Sequence, residues 1–263
     1  IVCIKQVPDT TEVKIDPERG TLIREGVPSI VNPFDMYAIE EALLLREKFG
    51  GTVTVISMGP PQAKEALREA VAMGCDEAIL VSDRAFAGSD TWATSYTLAQ
   101  TIRKLGQYDI ILCGKQAIDG DTGQVGPGVA RQLGINQLTY VFKIQEIDFD
   151  QRTIRVERLL EEGREVVGSR LPALLTVVKD INQPRYPTFK GIRRASRMEF
   201  PIWTAGDLEG ADPKLFGLEG SPTRVVRVFN PPPRAGSVEW IEGETPQEIA
   251  AGLAERLLAE KIL

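Results

Sequence analysis

The segment from Gly114 to Pro127 carries the side chains best suited to hold a nucleotide. It follows an apolar, strand-like run over 109–113 and precedes a helical pattern over 124–133. In this order, backbone N–H groups and the positive end of the helix dipole lie where a phosphate can reach them. Asp119 and Asp121 would repel a bare anion, so we expect them to face ribose hydroxyls, a base edge or backbone donors. The segment therefore predicts a site for a whole nucleotide.

An isolated glycine loop is more often a plain turn between a strand and a helix. Two acids together with Lys115, Thr122 and Gln124 in one loop favour binding over a turn. An ATP-using enzyme or nucleotide sensor is disfavoured. The chain has no Gly-x4-Gly-Lys-Ser/Thr loop and no Gly-x-Gly-x-x-Gly after its first strand-like run.

Composition excludes several kinds of chemistry. Histidine is absent, which rules out Ser-His-Asp and Cys-His catalysis and histidine-ligated zinc. Cys3, Cys75 and Cys113 have no metal-binding spacing, so we expect no metal and a reducing, cytoplasmic location. A net charge of −6 disfavours nucleic acid as a partner. No apolar run reaches the roughly 20 residues that a membrane span needs. Since no residue is placed for redox catalysis, any redox chemistry must come from a cofactor.

Strand-like and helical segments alternate through the first half of the chain. Apolar runs predict strands over 1–6, 52–57, 77–81 and 109–113, with helices over 33–49, 61–73 and 91–105. This alternation predicts an α/β fold with a doubly wound, mostly parallel, Rossmann-like sheet, of the kind found in adenine-nucleotide α-hydrolases. Asn32 is expected to cap the first helix and to fix the loop beside the strand ends.

Further along, the pattern predicts additions to that sheet. An antiparallel hairpin is expected over 13–23, and antiparallel strands are expected over 142–149, 153–160 and 164–169. The run 171–178 then returns to the main sheet. We divide the chain into an α/β nucleotide-binding domain, 1–181, a loop, 182–200, and an extended arm, 201–263. The arm is expected to hold a strand over 223–229 and to end in a helix that begins with a capping box at Thr245.

Several short motifs occur in a fixed order along nearly the whole chain: Lys5-Gln-Val-Pro-Asp9, Asn32-Pro-Phe-Asp35, Ser57-Met-Gly-Pro60, Ala72-Met-Gly74, Gly114-Lys-Gln-Ala-Ile-Asp119 and Asn182-Gln-Pro-Arg-Tyr186. In order and spacing they resemble the β subunit of electron transfer flavoproteins. The resemblance implies a heterodimer in which the α subunit holds the electron-transferring FAD. The β subunit would brace it, wrap it with the C-terminal arm, and bind a second nucleotide in its own sheet.

The resemblance also implies which residues contact that nucleotide, and the position of the first strand's end adds three more. The full set of expected contacts is Cys3, Val7, Pro8, Asp9, Asn32, Pro33, Phe34, Asp35, Met58, Gly114, Lys115, Gln116, Ala117, Asp119, Gly120, Asp121, Thr122, Gly123, Gln124 and Val125. Without the resemblance, Met58 would be interpreted as a core residue.

The loop over 182–200 resembles the segment with which this family recognises its redox partners. Phe189 corresponds to the apolar anchor, and Tyr186, Ile192 and Arg193 are expected to dock beside it. A cationic cluster is more often a solvated face, but an apolar anchor among charges is typical of interfaces. The partners implied are an acyl-CoA dehydrogenase, a quinone oxidoreductase or further Fix-type subunits.

The loop sequence bears on which nucleotide is bound. Family members that bind only AMP tend to carry an Asp-Asp-Asp-Cys-Asn-Gln-Thr type of sequence, where this chain has Asp119-Gly-Asp-Thr-Gly-Gln-Val125. This version resembles the flavin-bifurcating and Fix-type branch, and its glycines permit close approach to a pyrophosphate. There the β-subunit FAD takes a hydride from NADH and divides the electrons between the α-subunit FAD and ferredoxin or flavodoxin. We expect FAD here. The alternative is a conventional subunit with structural AMP, in which only the α-subunit FAD does redox work. NADH oxidation is expected only as part of a bifurcating complex.

Overall fold

A computed structural model describes residues 1–9, 28–226, 236 and 238–262 of the protein. The chain divides into two compact units, Ile1–Arg227 and Val228–Leu263. The hairpin expected over 13–23 lies outside the described residues. Among those that are described, no helix is long and apolar enough to cross a membrane.

The first unit is built on one large mixed sheet. In chain order, the strands of the described residues are β1 (Val2–Ile4), β2 (Gln6–Pro8), β3 (Ser29–Val31), β4 (Thr54–Met58), β5 (Glu77–Val81), β6 (Ile110–Gly114), β7 (Asn136–Asp148), β8 (Thr153–Leu160), β9 (Gly163–Arg170), β10 (Ala173–Val177) and β11 (Ile202–Trp203). The main sheet has the order β11-β5-β4-β1-β6-β10-β7-β8-β9, and β2 and β3 form a separate antiparallel pair. Neighbours from β11 to β7 run parallel, whereas β7, β8 and β9 are antiparallel. The predicted α/β, mostly parallel fold is confirmed.

Helices cover both faces of the parallel strands. In the described residues they are α1 (Pro33–Phe49), α2 (Lys64–Met73), α3 (Thr91–Leu105), α4 (Val125–Leu133), α5 (Phe189–Arg197) and, in the second unit, α6 (Pro246–Ala259). Alternate residues of β1 and β4 enter different cores. Val2 and Val55 belong to one hydrophobic cluster, whereas Cys3 and Ile56 belong to the other. Burial on both faces explains the continuous apolar runs of these strands.

Several sequence predictions differ from the structure. The strand expected over 142–149 begins already at Asn136. The first strand was expected over 1–6, but β1 ends at Ile4 and β2 pairs with β3 outside the main sheet. The chain leaves the sheet at Lys5, whose backbone N–H donates to the Asp35 carboxylate at 2.7 Å. The strand expected over 223–229 is not formed in its described part, 223–226. There, the N–H of Thr223 donates to the Asp90 carboxylate.

Another difference is α5, which lies within the segment expected to be a loop. Thr188 caps it, accepting a hydrogen bond from the Gly191 N–H at 3.0 Å. A β-carbon on Gly191 would lie 2.0 Å from the carbonyl oxygen of Ala72, so α5 packs closely against α2. Pro184 and Pro187 both precede the cap and leave the helix intact.

The second unit contains α6, which begins as expected after Thr245. The Thr245 hydroxyl accepts a hydrogen bond from the Glu248 N–H at 3.3 Å. The Glu248 carboxylate accepts from the N–H of Glu244 and not from that of Thr245. Both acceptors therefore satisfy backbone donors at the start of the helix, with the second bond shifted by one residue from a capping box.

Candidate functional site

The carboxyl ends of three adjacent parallel strands bring the predicted nucleotide residues together. Cys3 lies on β1, Met58 ends β4 and Gly114 ends β6. Cys3 is in register with Ile56 on one side and with Cys113 on the other. Ligands of open α/β sheets bind along this edge. Three of the expected nucleotide contacts lie at β2: Val7 and Pro8 on the strand and Asp9 just after it. The partner strand β3 leads directly into Asn32.

Asn32 connects the start of α1 to the loop that follows β6. Its side chain is 1% exposed, and Nδ2 donates to the carbonyl oxygen of Gln116 at 2.8 Å. Its Oδ1 accepts from the N–H of Ile118 at 3.1 Å. The prediction that this side chain caps α1 is wrong, since it makes no capping hydrogen bond. Asn32 instead holds the loop after β6 through these two side-chain hydrogen bonds, and not through capping as expected.

Asp35 links the ends of β1 and β6. Its buried carboxylate accepts the backbone N–H of Lys5 at 2.7 Å and that of Gly114 at 3.1 Å. Any β-carbon at position 114 would lie 2.3 Å from Oδ1 of Asp35, so this close approach requires glycine. Burial is the largest influence on the carboxyl group and raises the pKa of Asp35 to about 7, against the hydrogen bonds that lower it.

The two acids of the loop already have partners. The Lys5 ammonium lies 2.6 and 2.8 Å from the two carboxylate oxygens of Asp119. Gln116 donates to the carboxylate of Asp121, which has a positive φ of 53°. Lys5 and Asp119 thus join the end of β1 to the loop by an ion pair whose side chains are 48% and 22% exposed. Contact of either acid with ribose stays a prediction.

The glycines of the loop have different roles. Gly123 has a φ of 63°, a left-handed conformation that glycine adopts without strain. At Gly120, a β-carbon would meet nothing within 4 Å, so packing within the chain does not demand glycine there. Gly126 and Gly128 are packing residues. Their β-carbons would lie 2.6 Å from Cγ2 of Thr176 and 2.3 Å from the Ser95 hydroxyl, respectively.

The backbone before α4 offers unpaired donors. Within the part of the chain that the structure describes, the N–H groups of Thr122, Gly123 and Gln124 make no hydrogen bond. They lie at the positive end of the α4 dipole. Three consecutive donors at a helix start can hold a phosphate group.

A cavity of about 550 Å³ lies beside this loop. That volume falls within the roughly 300–1,000 Å³ typical of small-molecule sites. Of the predicted contacts, Lys115, Thr122, Gly123 and Gln124 line it. The other expected residues do not line it, whether they lie on β1, β2, β4 and the start of α1 or on β6, the rest of its loop and the first residue of α4. The far wall is formed by β7, β8, β9 and β10, from which no site residue had been predicted.

The residues that sequence analysis missed include Tyr140, Arg158 and Thr176, all in the cavity wall. Arg158 lies opposite Val141 across the β7–β8 pair, and Tyr140 has a positive φ of 58°. Tyr140, Arg158 and Thr176 lie near the loop only because β7 pairs with β8 and β10. No local sequence pattern predicts that these residues line the cavity.

The expected docking residues lie in a segment held on α1. Arg185 donates to Glu40 and Glu47, and Asn182 donates to Glu41 at 2.9 Å. Past these hydrogen bonds to α1, Tyr186 and Phe189 are 93% and 94% exposed, and Ile192 is 50% exposed. Arg193 is exposed as well. These residues present an apolar and cationic surface, and its binding of a partner stays a prediction.

The first unit is a doubly wound sheet in which the loop after β6 presents free N–H groups beside a cavity, an arrangement that a nucleotide-binding protein would be expected to have. The electron transfer flavoprotein domain model matches residues 19–208. The electron transfer flavoprotein subunit beta of Thermoanaerobacterium thermosaccharolyticum is 55% identical over 265 residues, covering 100% of this chain and 99% of the relative. The chain belongs to the electron transfer flavoprotein family, as a β subunit that serves electron transfer.

Two further relatives carry other names. The caffeyl-CoA reductase-Etf complex subunit CarD of Acetobacterium woodii is 50% identical, covering 100% of this chain and 99% of the relative. Protein FixA of Bradyrhizobium diazoefficiens is 49% identical, covering 92% of this chain and 85% of the relative. The family expected from the sequence motifs is confirmed.

Replacing Asn32 with alanine should loosen the nucleotide loop. Asn32→Ala removes the partners of the Gln116 carbonyl and the Ile118 N–H, so we expect the free energy of unfolding to fall by about 1–3 kcal/mol. Asn136→Ala is the matched control, because Asn136 makes one 3.5 Å bond at an exposed position. It should change stability by less than about 0.5 kcal/mol. Equal effects of the two variants in denaturant unfolding would contradict the role of Asn32.

Asp35 should make stability depend on pH. Its pKa is raised to about 7 in the folded protein, above the roughly 3.9 of an unfolded chain. Its contribution is therefore fully present below pH 4 and is lost as pH rises towards 7. The free energy of unfolding of wild type minus that of Asp35→Asn should fall by about 1.4 kcal/mol per pH unit in this window. A difference that stays constant from pH 5 to 7 would contradict it.

Proposed function

We propose that this chain is the β subunit of a flavin-bifurcating electron transfer flavoprotein and binds FAD at the loop after β6. The observation that carries the proposal is the row of free N–H groups at Thr122, Gly123 and Gln124 beside a cavity of about 550 Å³. Such donors suit a phosphate, and the cavity gives room for more than one nucleotide unit.

The residues present fit a dinucleotide in charge as well as in space. Lys115 lines the cavity, and none of the ion pairs among the described residues involves it. Gly120 leaves open space where a side chain would otherwise stand between the backbone and a ligand. A pyrophosphate could therefore approach the loop backbone and face a cation that has no other ionic partner.

FAD would supply the hydride and single-electron chemistry, with NADH as the donor and ferredoxin or flavodoxin as the low-potential acceptor. The contribution of this chain is binding and orientation. Asn32 and Asp35 hold the loop in one conformation, and the loop N–H groups would fix the phosphates. The Lys5–Asp119 ion pair would border the adenosine end at the carboxyl edge of β1.

The names of relatives agree with a larger assembly. One is called a subunit of a caffeyl-CoA reductase-Etf complex, and others are called FixA. We infer that this chain pairs with an electron transfer flavoprotein α subunit carrying its own FAD. Acyl-CoA dehydrogenases, quinone oxidoreductases or Fix-type subunits would dock at α5.

The alternative function is a conventional β subunit that binds AMP without redox work. The free N–H groups would hold one phosphate equally well. FAD is favoured because a cavity adjoins the loop. AMP bound at the ends of the strands would leave this cavity empty, whereas FAD is long enough to fill it. The two functions differ in the number of flavins in the heterodimer.

The heterodimer should contain two FAD molecules and no AMP. The expected result is a flavin-to-protein ratio of about two after extraction, with both flavins bleached when NADH is added. The measurement is absorption spectroscopy of the purified complex, with chromatography of the released nucleotides. One FAD and one AMP per heterodimer would establish the conventional function instead.

Phe189→Ala should weaken electron delivery to a docked partner without loss of flavin. An exposed aromatic anchor at the centre of an interface contributes about 2 kcal/mol or more, so the apparent affinity should fall at least tenfold. Reduction of the partner is followed at increasing partner concentration. Leu44→Ala, which truncates a side chain 40% exposed on α1, is the control. Loss of flavin in Phe189→Ala would mean that the segment is structural.

A further inference from the structure

We propose that the cavity beside the nucleotide loop holds the flavin mononucleotide half of FAD, and that Arg158 on β8 binds that half. This inference rests on the proposed function. It assigns residues to the flavin end of FAD, for which the contacts expected from the sequence name none in the far wall of the cavity. None of the residues of β7, β8 or β10 is among the contacts expected from the sequence.

The order of the strands places the cavity on one side of the loop and the expected adenosine contacts on the other. Cys3 on β1 and Met58 at the end of β4 lie on strands that precede β6 in the sheet order, whereas β10 and β7 follow it. The loop leaves the end of β6 between them. A dinucleotide with its adenosine over β1 and β4 and a phosphate on the loop N–H groups would therefore extend over β10 and β7, into the cavity.

Arg158 is held in place before any ligand binds. Its Nε donates to the carbonyl oxygen of Thr139 at 2.8 Å, and one Nη donates to the Thr139 hydroxyl at 2.9 Å. The other Nη donates to Glu165 at 2.7 Å. These contacts use three of the five guanidinium N–H groups. Two donors of a fixed guanidinium thus stay free at the cavity, where they can bind a phosphate or a carbonyl oxygen of the flavin ring.

Lys115 adds a second cation to the same cavity. Its ammonium lies 5.3 Å from the ring centre of Tyr140 and 6.0 Å from that of Phe34. Glu165 partly balances Arg158, but its side chain is 49% exposed, and it is not among the residues that line the cavity. The cavity lining contains two cations and no carboxylate, which suits an anionic ligand.

Tyr140 is a further sign of a built site. Its φ of 58° is rare for an aromatic residue, and a register shift interrupts the β10–β7 pair between Leu175 and Val177. The Tyr140 N–H donates to the Thr176 hydroxyl at 3.2 Å, which holds the irregular backbone. Bulges and strained residues concentrate beside binding sites because they redirect a side chain. Here the side chain is an aromatic ring at the cavity wall.

The test compares FAD with AMP at the same site. The heterodimer with FAD at its α site is freed of the β-site nucleotide and titrated calorimetrically with either ligand. Arg158→Gln should weaken FAD binding by about 10- to 100-fold, the loss of a charge-assisted contact, and leave AMP binding unchanged. Arg155→Gln is the control, because Arg155 lies on the same strand, pairs with Glu146 and does not line the cavity. It should alter neither affinity.

Tyr140→Asn provides an independent variant, since Arg158 also braces Thr139. Asparagine tolerates a positive φ, so this variant removes the ring without imposing new backbone strain. It too should weaken FAD and spare AMP. Unchanged FAD binding in both variants, or an equal loss of FAD and AMP, would overturn the inference. A wild-type heterodimer that binds AMP but not FAD would overturn the proposed function itself.

Discussion

The proposed nucleotide site depends on the hydrogen bonds that Asn32 and Asp35 make from the start of α1. Asp35 joins the first residue after β1 to the last residue of β6, and Asn32 holds the loop that follows at two points. Both side chains are buried, where an unpaired polar group is costly, so the loop and α1 are mutually constrained. The site is therefore largely formed before a ligand arrives.

That constraint explains the division of the site into two parts. The loop must leave β6 against α1, and close packing of Gly126 on Thr176 directs the start of α4 over β10. The edge over β1 and β4 lies on one side and the cavity against β7 and β8 on the other. Between them lie three N–H groups that have no acceptor among the described residues, and there we propose that a phosphate binds. A ligand with chemically different ends would occupy such a site from end to end.

Local signals in the sequence predicted much of this fold. The bounds of α1 and α3 were as expected, and Asn32-Pro33 marked the start of α1 in the sequence. The loop after β6 was also recognised, since its donors and glycines are contiguous. Arg158 and Tyr140 were not, because they reach the loop only through the register of β7 with β8 and β10. The capping role assigned to the Asn32 side chain was wrong for a related reason. Its long-range partners compete with the helix end.

An experimental structure of the heterodimer with its native nucleotides tests the account most directly. We expect continuous density that begins with adenosine over the ends of β1 and β4, passes the N–H groups of 122–124 and ends with an isoalloxazine ring between Tyr140 and Arg158. Density for AMP alone, with the cavity filled by water or by side chains of the partner, would contradict it.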